Sequence, residues 1–204
     1  MPSACAATSA PHCRAPRKTS SCVRSIRAEL AAITPLDALE REHLADAAAW
    51  VESGAERCRT AKPATPPKHL VSYFVVASDT QVLLVDHKNA QLWLPTGGHV
   101  EPGEHPRDTV RREALEELGW ALTQPIEAPL MLTIATTGGR TGHTDVSLWY
   151  VLRGDPAQPV EHDREEFHAV RWFPFGEVPL HRGDPHMARF LDKLAGSSYA
   201  CQPR

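Results

Sequence analysis

The spacing of apolar residues changes along this chain, and each change marks an element. In TPLDALEREHLADAAAWVESG, Leu36, Leu39, Leu44, Ala47, Trp50 and Val51 fall within one broad arc at about 100° per residue, the pattern of an amphipathic helix. Thr34 can cap that helix, Pro35 suits its first turn, Asp37 completes a capping box and Gly54 offers a stop. The apolar stripe must lie against something, either the rest of the domain or a second copy of the chain, which would make a homodimer. SIRAELAAI, just before it, predicts a shorter helix. AKPATPPKH follows as a linker, because its prolines cannot support a regular ladder.

Beyond the linker the pattern is that of strands. LVSYFVVAS and QVLLVDHK are β-prone runs parted by Asp79 and Thr80 in hairpin style, and LWLPTGG, APLMLTIATT, TDVSLWYVLRG and FHAVRWFPF continue the series. DPHMARFLDKLAG predicts a terminal helix. One further helix interrupts the strands. Pro106 fits its first turn and Gly119 its end, so it should run from about Arg107 to Leu118. On it Val110, Ala114 and Leu118 repeat every four residues as a buried stripe with Leu115 at its border. Glu113, Glu116 and Glu117 gather on a neighbouring face, beside the core rather than within it. The expected fold is α/β, a mixed sheet flanked by helices. Residues 70–196 would form the domain, 22–61 a helical extension and 62–69 the linker, with 1–21 and 197–204 as tails.

Composition narrows the function. A chain of 204 residues with 42% hydrophobic and 23% charged residues and a net charge of -3 has no general attraction to nucleic acid or to an anionic membrane surface. No run approaches the roughly 20 apolar residues of a membrane helix. Cys5, Cys13, Cys22, Cys58 and Cys201 are odd in number and lack the close pairing of a zinc site or redox dithiol, so unpaired thiols in the cytoplasm are expected. Met1 to Arg27 is basic and free of acidic residues, a bias shared by transit peptides and disordered tails; no function is assigned to it.

The chemistry concentrates in LPTGGHVEPGEHPRDTVRREALEELGW, residues 94–120. Carboxylates three and four residues apart on a helix repel by a few tenths of a kcal/mol even in water, so a positive partner should offset them. A bare EALEE would be an ordinary solvated face. Here, however, Gly97 and Gly98 permit a tight turn and close approach of a backbone carbonyl to a cation, Gly103 supplies a second turn, and Arg112 can fork onto Glu104. Oxygen ligands of this kind suit Mg²⁺ or Mn²⁺, which also use substrate phosphates.

This stretch resembles the signature of the Nudix hydrolases: Gly, five residues, Glu, seven residues, Arg-Glu, an apolar residue, any residue, Glu-Glu, any residue, Gly, an apolar residue. Gly98, Glu104, Arg112, Glu113, Ala114, Glu116, Glu117, Gly119 and Trp120 fill every specified position. Chance agreement would be on the order of one in a billion per window, so the signal is strong. The resemblance implies an α/β/α fold and hydrolysis of a nucleoside diphosphate linked to another group, by default a nucleoside triphosphate or a modified one. It also implies a small-molecule, nucleotide-type partner. By the same resemblance Glu113, Glu116, Glu117 and the Gly97 carbonyl would hold the metal, and Arg112 and Glu104 would orient them. The proton acceptor would be Glu113 or a later glutamate such as Glu166 in HDREEFHAVRW.

Other residues carry weaker signals. His99, and His143 with Asp145 in GHTDVSLWY, are candidates for substrate contact. Trp93, Trp149 and Trp172 are expected in the sheet core or at its edges, and His181 and His186 in solvent. The accessory motifs of NADH diphosphatases, dinucleoside polyphosphate hydrolases and ADP-ribose hydrolases are not recognisable here. Isopentenyl diphosphate isomerisation on this fold would need an active-site cysteine, and all five lie outside the segment from Leu70 to Trp172. A non-catalytic nucleotide sensor is the main rival, disfavoured because every signature carboxylate is retained.

Overall fold

The computed structural model describes residues 18–62, 65–137 and 142–200. Four helices, α1 (Lys18–Ala31), α2 (Ala38–Glu52), α3 (Pro106–Leu118) and α4 (Met187–Ala195), surround seven strands. The strands are β1 (Lys68–Ala77), β2 (Gln81–His87), β3 (Leu92–Leu94), β4 (Thr96–His99), β5 (Met131–Thr136), β6 (Thr144–Arg153) and β7 (Phe167–Pro174). The order β3-β2-β1-β6-β5 forms the main path, with β4 added to β1 and β7 to β2.

β1 is the axis of the sheet. It runs parallel to β6 along its whole length, from Lys68 opposite Thr144 to Ala77 opposite Arg153. Its other side is divided between β4, paired through Val71–Phe74, and β2, paired at Val76 and Ala77. The turn at Asp79 and Thr80 is closed by Ser78 N–H donating to the Gln81 carbonyl at 2.9 Å, as the hairpin reading expected. β1 and β6 read as nearly unbroken apolar runs because helices cover both of their faces.

Two cores result, one on each face. Ile26 and Leu30 of α1, Ala47 and Val51 of α2, and Val110, Ala114 and Leu118 of α3 pack on Leu70, Phe74, Leu148 and Tyr150. On the opposite face Met187, Phe190 and Leu194 of α4 pack on Val75, Leu84 and Trp149. The α/β/α expectation holds, as does the stripe on α3, whose Leu115 is exposed. Trp149 is fully buried, while Trp93 and Trp172 are half-buried partners of the two cores. No helix among the described residues is long and apolar enough to cross a membrane.

The extension differs from its sequence reading in detail. α1 starts at Lys18, inside the stretch expected to be a tail, and is longer than SIRAELAAI predicted; Met1 to Arg17 lie outside the described residues. Asp37, not Thr34, caps α2, accepting from Glu40 N–H at 2.8 Å, while Glu40 reaches back to Leu36 N–H at 2.7 Å. The start therefore falls later, and Leu36 and Leu39 are exposed while Ala47 and Val51 carry the buried stripe. α2 lies on the domain itself, along the outer edge of β5. Glu40 accepts from Leu132 N–H at 3.1 Å and His43 Nδ1 from Ile134 N–H at 3.3 Å, so side chains from one helix satisfy alternate amides of an edge strand. Lys68 and His69, expected in the linker, open β1, and Tyr199, expected in the tail, packs against the second core.

Candidate active site

α3 is held at both ends by local chemistry. His105 caps it through Nδ1, which accepts from Arg107 N–H at 3.1 Å, and Pro106 occupies the first turn. Gly119 closes it in the left-handed region at φ 68°, with its N–H on Leu115 and that of Trp120 on Ala114. The first turn is also tied to the extension. Arg107 Nε lies 2.8 Å from Glu29 Oε1, and Glu29, 4% exposed, also faces Tyr150 and His105.

Arg112 is the hub of the helix. Its Nε and Nη2 fork onto Glu104 at 3.0 and 3.2 Å, Nη1 reaches Glu113 at 2.7 Å and Glu116 at 3.2 Å, and Nη2 also donates to the His99 carbonyl at 3.2 Å. Burial opposes ionisation of Glu104, but hydrogen bonds from Arg112, Thr109 and Glu101 N–H outweigh it and hold its carboxyl below the usual range. The same Glu104 contacts push Arg112 further toward its charged form.

Glu113 and Glu117 lie inward of this clamp. Gly98 leaves no room for a side chain: a Cβ there would stand 1.9 Å from Glu113 Oε1. Glu117 is only 5% exposed, which corrects the expectation that it sits outside the core. β4 crosses over it, and Glu117 Oε2 accepts from Gly97 N–H at 2.9 Å. Burial, then the neighbouring Glu113, pushes the Glu117 carboxyl up to about 9, and burial raises Glu113 as well, against the pull of Arg112. Glu117 has no cationic partner among the described residues. A buried and a half-buried carboxylate backed by one guanidinium form a donor set that a hard divalent cation fits. Glu116 is the outer member, with its side chain 58% exposed.

These groups line a cleft of ≈ 570 Å³ together with Gly97, Gly98, His99, His143, Asp145 and Glu166. The cleft therefore gathers every candidate site residue named from the sequence except Glu104, which stands behind Arg112. Residues 67–194 match the family model for the NUDIX domain, well over half of the chain. The chain belongs to the Nudix hydrolase family. It is a pyrophosphohydrolase, an enzyme acting on phosphorus anhydrides.

A MutT-like protein of Streptomyces ambofaciens is 30% identical over 135 residues, 65% of this chain and 82% of that protein. A Bacillus subtilis protein named "Putative 8-oxo-dGTP diphosphatase" is 44% identical over 46 residues, 22% of this chain and 31% of its own length. A MutT Nudix hydrolase structure from Burkholderia pseudomallei superposes with a TM-score of 0.52 at 21% identity, covering 62% of this chain and 98% of that one, and so supports the fold.

Several cleft residues of this Nudix hydrolase escaped the sequence reading. Arg59 and Lys62 reach the rim from the segment before β1. His87 at the end of β2 lies 3.4 Å from Glu166, whose side chain is 45% exposed. Beneath the cleft, fully buried His69 sits against Asp145 at 3.1 Å. None belongs to a spaced motif; long-range chain packing brings them in. His186, expected in solvent, is half-buried against Arg189 and His43, whereas His181 is exposed as expected.

Proposed function

We propose that this Nudix hydrolase uses Mg²⁺, with Mn²⁺ as a substitute, to cleave the pyrophosphate bond of a nucleoside diphosphate linked to another group, with a normal or modified nucleoside triphosphate as its first substrate. The observation that carries the reading is the pair of inward carboxylates, buried Glu117 and half-buried Glu113, lining a cleft with a guanidinium clamp beside them. Glu113, Glu116, Glu117 and the Gly97 carbonyl are the proposed ligands. Bound there, the cation would neutralise phosphate charge and favour in-line attack of water on phosphorus.

Arg112 and Glu104 act by position. The fork between them fixes the guanidinium, and the guanidinium in turn fixes Glu113 and Glu116. Arg59 and Lys62 supply positive charge at the rim for the outer phosphates. Glu166 is our choice as acceptor of the attacking water's proton, supported by its place on the cleft wall and by the field it exerts on both Glu113 and Glu117. In this reaction an oxygen–phosphorus bond forms from water, the anhydride bond breaks, and the leaving phosphate departs with the bonding pair. The triphosphate is further supported by the short match to the protein named as an 8-oxo-dGTP diphosphatase.

The test is release of phosphate and pyrophosphate with Mg²⁺ across nucleoside triphosphates, nucleotide sugars, ADP-ribose and dinucleotides, with Glu117→Gln as control. Turnover by the parent alone supports the reading and selects the substrate class. Silence across the panel, with Mg²⁺ binding demonstrated, would replace it with a nucleotide-sensing role.

A further inference from the structure

Beside the signature carboxylates the sheet brings three imidazoles and a carboxylate to one point. His69 is the second residue of β1, and Asp145 stands in register beside it on parallel β6. His143 lies two residues before Asp145, just ahead of β6 and turned to the same point, and His99 closes β4 opposite Val71 of β1. Asp145 Oδ1 is 3.1 Å from His69 Nε2, 3.3 Å from His143 Nε2 and 3.8 Å from His99 Nε2. All four candidate donor atoms lie within 4.8 Å of one another.

The hydrogen bonds around this group fix the tautomer of His69 and turn the ring of His143. His69 Nδ1 faces the Pro66 carbonyl at 2.9 Å, and a carbonyl only accepts; Nδ1 therefore carries the proton in the neutral ring and Nε2 presents a lone pair. His143 Nδ1 is 3.1 Å from the Thr137 hydroxyl, leaving its Nε2 turned to Asp145. The His69 side chain is fully buried, and its Nε2 and the buried Nε2 of His99 make no hydrogen bond of good geometry; both face Asp145, which His143 also approaches. Lone pairs converging in a dry place are costly unless a cation stands between them.

We propose that His69, His99, His143 and Asp145 form a second metal site, four-coordinate and selective for a borderline transition ion of the Zn²⁺ class. Bonds of about 2.0–2.1 Å in a tetrahedron put ligand atoms about 3.3–3.4 Å apart, and the three separations from Asp145 bracket that value. Three imidazole nitrogens and one oxygen suit Zn²⁺ and disfavour Mg²⁺, which takes oxygen ligands. The Pro66 carbonyl and the Thr137 hydroxyl are the outer partners that orient ligating histidines. With all four corners filled from the protein, the site is structural: it pins β1, β4 and β6 together under the cleft. Arg59 and Lys62 line the same cleft and work against a cation, so the chelate must outweigh them. The site is independent of the hydrolase's metal.

Full-length protein stripped with a chelator is titrated with Co²⁺ and then Zn²⁺. The expected result is one equivalent of Co²⁺ with the strong visible absorption of a four-coordinate ion, displaced by Zn²⁺ and not by Mg²⁺. At about a hundredfold excess over Kd, Zn²⁺ should raise the melting temperature by roughly 5–10 °C. His143→Ala and Asp145→Asn, checked for native circular dichroism, should abolish the band and weaken Zn²⁺ binding at least roughly tenfold. His69→Gln is read beside them because its site is fully buried. The double variant Glu113→Gln/Glu117→Gln should keep the band, which separates this site from the signature carboxylates. A weak six-coordinate spectrum, a band unchanged in both His143→Ala and Asp145→Asn, or a band lost in the glutamate double variant would overturn the proposal and leave an ion-paired histidine cluster.

Discussion

Glu40→Ala tests whether the N-terminal extension is part of the folded domain or an appendage. Glu40 is fully buried, and its carboxylate joins three elements: Oε1 accepts from Leu132 N–H of β5 at 3.1 Å and from Lys193 Nζ of α4 at 2.5 Å, and Oε2 from Leu36 N–H at 2.7 Å. The Lys193 side chain is only 9% exposed, so truncating Glu40 strands an ammonium and two amides at once. Breaking a buried ion pair from one side costs about 3–5 kcal/mol, mostly as the penalty on the group left behind. For a chain of this size that corresponds to a fall in melting temperature of roughly 6–20 °C. Adding Lys193→Met removes the stranded charge and should recover about 1–2 kcal/mol of the loss. Urea denaturation at fixed metal concentration measures both quantities. A cost below about 1 kcal/mol for Glu40→Ala, or a double variant no better than the sum of its parts, would refute the reasoning. A lower m-value with little loss of stability would show instead that the extension separates from the domain before it unfolds.

Three further outcomes follow from the geometry. Glu117→Gln can keep the hydrogen bond from Gly97 N–H, so the fold should persist while kcat falls at least roughly 100-fold and the Mg²⁺-dependent rise in melting temperature disappears; a retained rise would remove Glu117 from the ligand set. Asp37 is held down to about 2 by hydrogen bonds from Arg189 and Glu40 N–H, so it stabilises the fold above its unfolded value near 3.8 and that share is lost as pH falls through about 2. Asp37→Asn should flatten this part of the stability profile in acid titrations followed by circular dichroism, and an unchanged profile would count against the ion pair. Arg59→Ala should raise KM for a nucleoside triphosphate about tenfold with kcat little changed, and the difference should shrink with added salt; an unaltered KM would take Arg59 out of the phosphate site.

The fold and half of the site were legible because they are written in local spacing. Val110, Ala114 and Leu118 give α3 its buried face from sequence alone, and the fork from Arg112 to Glu104 follows from a motif. Glu117 shows where that reasoning stops: a helical wheel places it beside the core, and only the strand crossing above it, β4, makes the position buried. The start of α2 was misread because Thr34 and Asp37 are both good capping residues, and the reciprocal contact between Glu40 and Leu36 N–H decides for Asp37. His143 and Asp145 stand two residues apart at the start of β6 and are readable as a pair. His69 was hidden in a proline-rich segment, and its partner is supplied by parallel pairing between β1 and β6, a long-range fact with no local trace.

The adjacent glycines of β4 separate two reasons for excluding a side chain, and the separation can be measured. Gly97 has φ 136°, and a Cβ there would meet the Ser72 carbonyl oxygen at 2.2 Å. Both the backbone conformation and a neighbouring main chain forbid a side chain, so Gly97→Ala should destabilise the domain by more than about 1–3 kcal/mol. Gly98 is not in the left-handed region, and the nearest obstacle to a Cβ is the far end of Glu113, 1.9 Å away. Glu113 can swing away, and alanine also restricts the unfolded chain, worth about 0.4–1 kcal/mol, so Gly98→Ala should leave stability within about 1 kcal/mol of the parent. The displaced carboxylate would nonetheless sit an ångström or more from its place, a shift that costs on the order of 100-fold in rate. A stable, folded and nearly inactive Gly98→Ala protein is therefore expected beside an unstable Gly97→Ala protein. Full activity in Gly98→Ala would mean that the position of Glu113 against β4 is not the one used in catalysis. Equal destabilisation by the two substitutions would mean that Gly98 is held by the main chain rather than by the carboxylate it makes room for.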